Sequence, residues 1–423
     1  MGKKNKNISI FNEISAVISV YFAMSYVLIL VPKILSGVGI PYTAAFFAVC
    51  LASAFGCFMC AVFTQKPFVF APYIGQNSFL AFSAVAIMGY SYKEALGCAF
   101  WAAVALLIIA LTDAKKYLID GIPNCIKTAL PVAIGLFLTI IGLLEIGIVE
   151  ISSHSLMLKL GNLNSPHVLM GLLCLLIIII LRALNVRLNV LFGIGLTLFI
   201  AAFMGQISLP TFEMPMLSNV FLNLDLKGTF NINHLALIIT FFVFLLNDIT
   251  AVSVSAMSKE KQADGASYQG TVMATAVSSC VAPIFGCVSS GAYPESILAI
   301  ECEAKTKFVP ITLGILFLLS VLLIPFLVII PNYICAAVLI YIGLLLTSEI
   351  EHKGYSAEEF TEFVPAFLLV VLTCFTLNIA VGVCSAFIVY IVLKICTGKI
   401  MDINLLSILF AGLSVLFFMF YPY

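Results

Sequence analysis

Apolar runs of about 20 residues recur from Ile14 to the C-terminus, separated by short polar links, and this repetition constrains the fold more than any other feature of the chain. A run of that length crosses the roughly 30 Å hydrocarbon core of a bilayer as an α-helix, because in lipid each backbone polar group must be satisfied within its own segment. The sequence therefore predicts an all-α polytopic membrane protein, a multi-pass chain whose surroundings are lipid. Composition agrees: 63% of residues are hydrophobic and 9% charged, against roughly 25% charged in soluble domains, which excludes a soluble globular enzyme. The formal net charge of zero leaves no basic field to hold nucleic acid.

Thirteen cysteines, an odd number lying mostly inside apolar runs, imply no disulfide framework. Cys57 and Cys60 form a C-x-x-C, but without a histidine or a second pair it reads as helix packing rather than zinc or redox chemistry. The four histidines have no metal-ligand spacing, so no metal site and no cofactor are expected. No P-loop, G-x-S-x-G or Ser-His-Asp set occurs, which argues against an ATP-driven pump, an intramembrane hydrolase or any other enzyme. Residues 1–13 are basic at the start, lack a cleavage site and miss the myristoylation pattern at Lys6, and read as a cytoplasmic lead.

Cutting at polar and Pro/Gly links gives spans near 14–36, 43–63, 69–90, 95–112, 125–147, 167–183, 188–206, 234–256, 270–288, 290–303, 308–329, 332–348, 362–377 and 379–397. A further apolar stretch, Leu405 to Phe420, is expected in or along the membrane. The basic residues test this division, since cytoplasmic loops carry excess Lys and Arg. With the N-terminus inside, inner links hold Lys66, Lys115, Lys116, Arg182, Arg187, Lys259, Lys261, Lys305, Lys307, Lys353, Lys394 and Lys399, whereas Lys33, Lys93, Lys159 and Lys227 fall outside. A missed span would have scrambled that alternation.

An internal repeat is visible. The segment from Ile122-Pro123-Asn124 to Gly135-Leu136-Phe137-Leu138-Thr139 recurs 208 residues later as Ile330-Pro331-Asn332 to Gly343-Leu344-Leu345-Leu346-Thr347, with ten of eighteen positions identical. The copies open the fifth and twelfth spans, so an odd number of spans separates them and the second lies inverted in the bilayer. Two inverted halves of seven spans predict a secondary transporter with its site near the midplane.

In such folds the substrate sits where helices break inside the membrane and freed backbone faces a cavity. The third span carries Pro72-Tyr73-Ile74-Gly75-Gln76-Asn77-Ser78-Phe79 and the tenth carries Ser289-Ser290-Gly291-Ala292-Tyr293-Pro294-Glu295-Ser296. Each reads as an extended approach followed by a half-helix, whose N-terminal N–H groups suit a polar ligand. A carboxylate at bilayer depth is a functional hypothesis by default, and two qualify: Glu295, and Asp248 beside Asn247 in the eighth span. Either can accept N–H groups of a ligand and take up a proton in step with transport; the structural alternative is a helix-to-helix hydrogen bond. Glu145 reads as interfacial, and Glu301, Glu303, Lys305 and Lys307 as a solvated cluster. Phe79, Tyr73 and Tyr293 are candidate stacking partners for a flat ring, with ordinary packing as the alternative.

These broken spans resemble the nucleobase:cation symporter-2 families, in particular the adenine/guanine/hypoxanthine permease branch, along nearly the whole chain. Met24-Ser25-Tyr26-Val27-Leu28 with Pro32-Lys33-Ile34-Leu35 looks like that branch's M-A-Y-I-L and N-P-A-I-L. Ala71-Pro72-Tyr73-Ile74-Gly75-Gln76-Asn77 is similar to its A-P-G-M-G-L-N, and Tyr293-Pro294-Glu295-Ser296 to its Y-V-E-S. Departures surround the site: the eighth-span F-D-T-x-G-T reads Asn247-Asp248-Ile249-Thr250-Ala251-Val252, and the glycine-rich G-G-R-T-G reads Glu303-Ala304-Lys305-Thr306-Lys307.

The resemblance implies a core domain moving against a gate domain. After the lead 1–13, the core would comprise 14–112 and 234–329, the gate 113–206 and 330–423, with 207–233 an extracellular link. It also implies that Glu295 hydrogen-bonds a nucleobase, that Asn77 and the segment Gly75, Gln76 and Ser78 line the opposite side, and that Asp248 occupies the polar position of the eighth span. Coupling to protons or sodium, a homodimer and a cell-membrane location follow from it too. The rival readings are the same fold carrying another small planar or anionic solute, and a ligand-binding membrane protein that does not transport.

Overall fold

The computed structural model describes residues 10–112, 123–151, 158–186, 188–205, 220–229, 231, 234–235, 237–246, 265–293, 295–324, 329–348 and 360–420. Helices follow the apolar runs in order. The first half holds α1 (Ile10–Ser36), α2 (Tyr42–Phe63), α3 (Ile74–Ser78, continued by a π-helical turn Phe79–Val85), α4 (Tyr92–Leu111), α5 (Asn124–Ile146), α6 (Pro166–Ala183) and α7 (Asn189–Phe203). The second holds α8 (Leu237–Leu246), α9 (Gly265–Phe285), α10 (Ser296–Glu301), α11 (Phe308–Leu319), α12 (Asn332–Ser348), α13 (Phe360–Thr376) and α14 (Ile379–Cys396), followed by α15 (Leu405–Phe420). The short strands are β1 (Phe70–Pro72), β2 (Val149–Ile151), β3 (Leu158–Leu160) and β4 (Ser290–Ala292).

Local chemistry fixes where the helices begin. Ser91 and Glu94 form a reciprocal capping box at the start of α4, the Ser91 N–H donating to Glu94 Oε2 at 2.8 Å. Asn378 and Ser165 accept backbone N–H groups at the starts of α14 and α6. Pro123 precedes α5 and Pro331 precedes α12, at matching places in the repeat. The first helix starts at Ile10, four residues before the boundary expected from the apolar run. Glu13, only 4% exposed, explains the extension: its Oε1 accepts the N–H groups of Lys305 (3.0 Å) and Thr306 (3.2 Å) ahead of α11.

Packing separates the helices into two groups. Helix α5 packs on α12, α13 and α14, α13 packs on α14, α6 joins α12 and α7, and α15 lies against α14. In the other group α2 packs with α1, α9 and α11, and α4 with α9. The first group is termed the gate and the second the core, and they meet where α1 touches α12 and α7 and where α3 touches α5.

At the centre of the gate the repeat packs against itself. A Cβ added at Gly135 would lie 2.6 Å from the Gly343 carbonyl oxygen, and one added at Gly343 would strike the Gly135 carbonyl oxygen in return. Further along, a Cβ at Gly142 would lie 2.8 Å from the Ala336 carbonyl oxygen, so α5 and α12 run antiparallel. A reciprocal contact between equivalent residues is what a two-fold axis through the pair requires, the geometry expected of inverted halves.

The gate also holds a buried cation. Lys394, 1% exposed, places Nζ 3.0 Å from Glu362 Oε1 and 3.1 Å from Asp402 Oδ2, tying α14 to α13 and to the turn before α15. Removing one partner of a fully buried ion pair costs about 3–5 kcal/mol. Because Glu362 and Asp402 are 29% and 54% exposed, Lys394→Met is expected to cost less, about 2 kcal/mol, with solvent screening the stranded carboxylates. The melting midpoint of detergent-purified protein checks this: a marked fall for Lys394→Met and a smaller one for Lys394→Arg is the expected order, and equal midpoints would overturn it.

Candidate functional site

The two broken spans meet each other. Strands β1 and β4 pair antiparallel, with Phe70 opposite Ala292, Ala71 opposite Gly291 and Pro72 opposite Ser290. Pro67 and Pro72 interrupt helical hydrogen bonding here, and a ribbon of three residues a side leaves backbone groups that lipid cannot satisfy. Side chains from neighbouring helices supply them. Cys57 Sγ donates to the Phe70 carbonyl (3.3 Å) and receives the Phe70 N–H (3.4 Å), and Cys60 Sγ lies 3.6 Å from the Phe68 carbonyl. The Ser278 and Ser279 hydroxyls each lie 3.0 Å from the Ser290 carbonyl, and Ser296 Oγ accepts the Val69 N–H at 3.0 Å. The C-x-x-C thus serves the backbone of a broken span.

The amides of the third span join the two breaks. Asn77, fully buried, donates from Nδ2 to the Tyr73 carbonyl (2.7 Å) and accepts the Val288 N–H at Oδ1 (3.2 Å). Gln76 Oε1 accepts the Ser289 hydroxyl at 2.7 Å. Ser78 Oγ is buried and, among the described residues, has no hydrogen-bond partner. Tyr73 and Tyr293 stack on each other, ring centroids 5.8 Å apart and planes 17° from parallel, and the Tyr293 hydroxyl donates to the Pro72 carbonyl at 2.6 Å. Phe79 is fully buried, edge-on to Phe241 and Phe244 at 5.4 and 5.2 Å. Gly75 faces the gate: a Cβ there would lie 3.0 Å from Ile134 Cγ2 of α5.

Glu295 stands at the start of α10, and its Oε1 accepts the Tyr26 hydroxyl of α1 at 2.7 Å. Its Oε2 is buried and, among the described residues, has no hydrogen-bond partner. Leaving a buried acceptor atom unmatched costs about 1–3 kcal/mol. Tyr26 is a residue that sequence reasoning did not place in the site, although a hydroxyl in the middle of the first apolar span was its signal. Ser296, next to Glu295, uses its hydroxyl on the backbone, donating to the Tyr293 carbonyl at 2.7 Å. Asn247, Asp248 and Pro294 lie outside the described residues.

The chain matches the Permease family (Xan_ur_permease) over residues 11–361. It is 31% identical over 414 residues to the adenine permease AdeP of Escherichia coli, covering 96% of this chain and 92% of that protein. It is 31% identical over 433 residues to the guanine/hypoxanthine permease PbuO of Bacillus subtilis, covering 98% of each. Among solved structures it resembles the transmembrane domain of the cyanobacterium bicarbonate transporter BicA, with a TM-score of 0.62 at 15% identity over 89% of this chain and 98% of that one. It also resembles murine Solute Carrier 26 family member A9, with a TM-score of 0.65 at 12% identity over 93% of this chain and 70% of that one. At such identities the structural neighbours speak for the fold alone, an inverted-repeat transporter of core and gate.

Proposed function

We infer the activity from the premise that the chain belongs to the Permease family, whose members move a solute across a membrane and do not transform it. Relatives named for adenine and for guanine and hypoxanthine give the substrate class. The protein is a multi-pass nucleobase permease, and its cargo is a purine. The observation that carries the reading to particular atoms is the unpartnered, buried Oε2 of Glu295, beside an Oε1 already held by Tyr26. A purine ring presents N–H donors along one edge, and a carboxylate accepts them with charge-assisted strength. A carboxylate repels an anion, which disfavours an anionic cargo at this position.

The finer parts of the reading follow from the chemistry of the carboxylate and the pattern of charge. Glu295 takes up a proton as the gradient drives transport, with Asp248 and Asn247 as further coupling groups in the eighth span. The Tyr73–Tyr293 stack offers a flat apolar face beside it. Gly75, Gln76, Asn77 and Ser78 shape the wall opposite, and Phe79 anchors that wall from behind. The core comprises 14–112 and 234–329 and moves against the gate, 113–206 and 330–423, as a homodimer in the cell membrane. The excess of Lys and Arg in alternate links puts the N-terminus in the cytoplasm.

Uptake of radiolabelled hypoxanthine, guanine, adenine, xanthine and uracil into cells lacking their own carriers tests the reading. Saturable uptake of a purine that collapses with a protonophore is the expected outcome. Uptake insensitive to the protonophore would remove the proton from the scheme. No uptake of any base, with the protein confirmed in the membrane, would overturn the nucleobase.

A further inference from the structure

Beyond the Tyr26–Glu295 site, a cavity of about 250 Å³ lies between core and gate. Its core wall is the end of α1, with Leu30 and Lys33, together with Phe82 of the π-helical turn. Its gate wall is Glu145 at the end of α5 with Asn332 and Leu339 of α12. Leu30 and Lys33 follow Tyr26 at positions i+4 and i+7, on the same stripe of α1. At 1.5 Å rise per residue, Lys33 lies about 10 Å along the helix from Tyr26. The cavity therefore lies about two turns of α1 beyond Tyr26, at the Lys33 end of that helix.

Its lining is chemically two-sided. Lys33 contributes a cation from the core and Glu145 a carboxylate from the gate, and among the described residues no ion pair joins them. Instead the Lys33 ammonium lies 5.7 Å from the centroid of the Tyr42 ring. The rest of the lining includes the apolar Leu30, Phe82 and Leu339. An anion would meet Glu145 and a cation would meet Lys33. A neutral flat heterocycle, with acceptors on one edge and N–H donors on another, satisfies both walls while its faces rest on the apolar residues. The volume, a little below the roughly 300 Å³ at which drug-sized pockets begin, suits one bicyclic ring.

We propose that this cavity is a second, weaker binding site for the purine, a vestibule occupied on the way to or from Glu295. The proposal rests on the nucleobase reading above and adds a site to it. Because its walls come from both core and gate, the vestibule exists in this relation of the two and is dismantled when they move. A purine bound there accordingly favours this conformation.

Equilibrium binding of tritiated adenine and, separately, hypoxanthine to the purified full-length protein tests this, with excess unlabelled base defining the saturable part. Wild type should bind one of them in a tight and a weak component. Glu295→Ala should lose the tight component and keep the weak one. Leu339→Trp, which fills the cavity, should lose the weak component and keep the tight one. Lys33→Met, which leaves the packing in place, should weaken the second component about tenfold, the loss of one charge-assisted hydrogen bond. A single component in wild type that Glu295→Ala removes entirely, or a weak component that survives both Leu339→Trp and Lys33→Met, would overturn the vestibule and leave the nucleobase reading intact. Absence of binding by either purine in wild type would overturn both.

Discussion

Glu295→Gln lowers purine uptake by at least about 100-fold while the protein reaches the membrane at the wild-type level: that is the expected result. The amide oxygen of glutamine can still accept the Tyr26 hydroxyl, which in the present structure donates to Oε1 at 2.7 Å. The amide nitrogen then takes the position of Oε2, the buried oxygen without a partner among the described residues. Where a ring N–H should find an acceptor it meets another donor. Hydrogen bonds to a charged group contribute about 1.5–3 kcal/mol each, and losing them while creating a donor–donor conflict amounts to about 3 kcal/mol or more, two decades in affinity. The same substitution removes the exchangeable proton of Glu295, so residual uptake should respond less to a protonophore. Tyr26→Phe is expected to be milder, about tenfold, because it frees Oε1 without removing the charge. Uptake assays on cells with matched membrane levels give the order wild type, Tyr26→Phe, Glu295→Gln. Near-normal uptake by a well-expressed Glu295→Gln variant would remove Glu295 from the site.

Why Glu295 was legible from the sequence and Tyr26 was not has a physical explanation. A carboxylate in an apolar run is so costly that its presence alone announces a function, whereas a tyrosine is at home in a membrane helix and its hydroxyl is interpretable only once its partner is known. The breaks in the third and tenth spans were legible for a similar reason, since proline, glycine and amides cannot be absorbed into lipid-facing helix. Their joining was not. Nothing local in Ala71 or Gly291 says that the two pair across a two-stranded ribbon. Gln76 and Asn77 illustrate the limit from the other side. Their polarity marked the break in the span, but Asn77 bonds the backbone groups of Tyr73 and Val288, and Gln76 accepts from Ser289, so polarity alone did not reveal which neighbour each would face. Cys57 and Cys60 read as packing because a thiol in an apolar helix is a small hydrophobe; their hydrogen bonds to Phe70 and Phe68 appear only when the ribbon lies beside α2. The start of α1 at Ile10 was likewise hidden, because Glu13 looks like the polar end of a span until the N–H groups of Lys305 and Thr306 are found against it.

The repeat that made the architecture readable also carries the second large expected effect. Gly343→Val should abolish folded protein, because its Cβ would occupy the space of the Gly135 carbonyl oxygen and of Thr139 Oγ1. Overpacking a core commonly costs about 1–3 kcal/mol when side chains can shift. Here one obstacle is backbone, and α5 and α12 cannot separate without parting the gate from α13, which packs on α5. Gly135→Val meets the mirror-image obstacle, the Gly343 carbonyl oxygen at 2.6 Å, and should fail equally if a two-fold axis passes between them. Gly195→Val in α7 is the matched control: nothing lies within 4 Å of a Cβ there, so only the modest helix-propensity difference between the residues remains. Size-exclusion profiles of the fused fluorescent proteins after mild solubilisation check all three. A monodisperse peak for Gly195→Val with aggregated or absent peaks for both gate variants is the expected pattern. A monodisperse, transport-competent Gly343→Val would mean that α5 and α12 do not cross at these glycines, and the pseudo-symmetric gate against which the core is proposed to move would lose its axis.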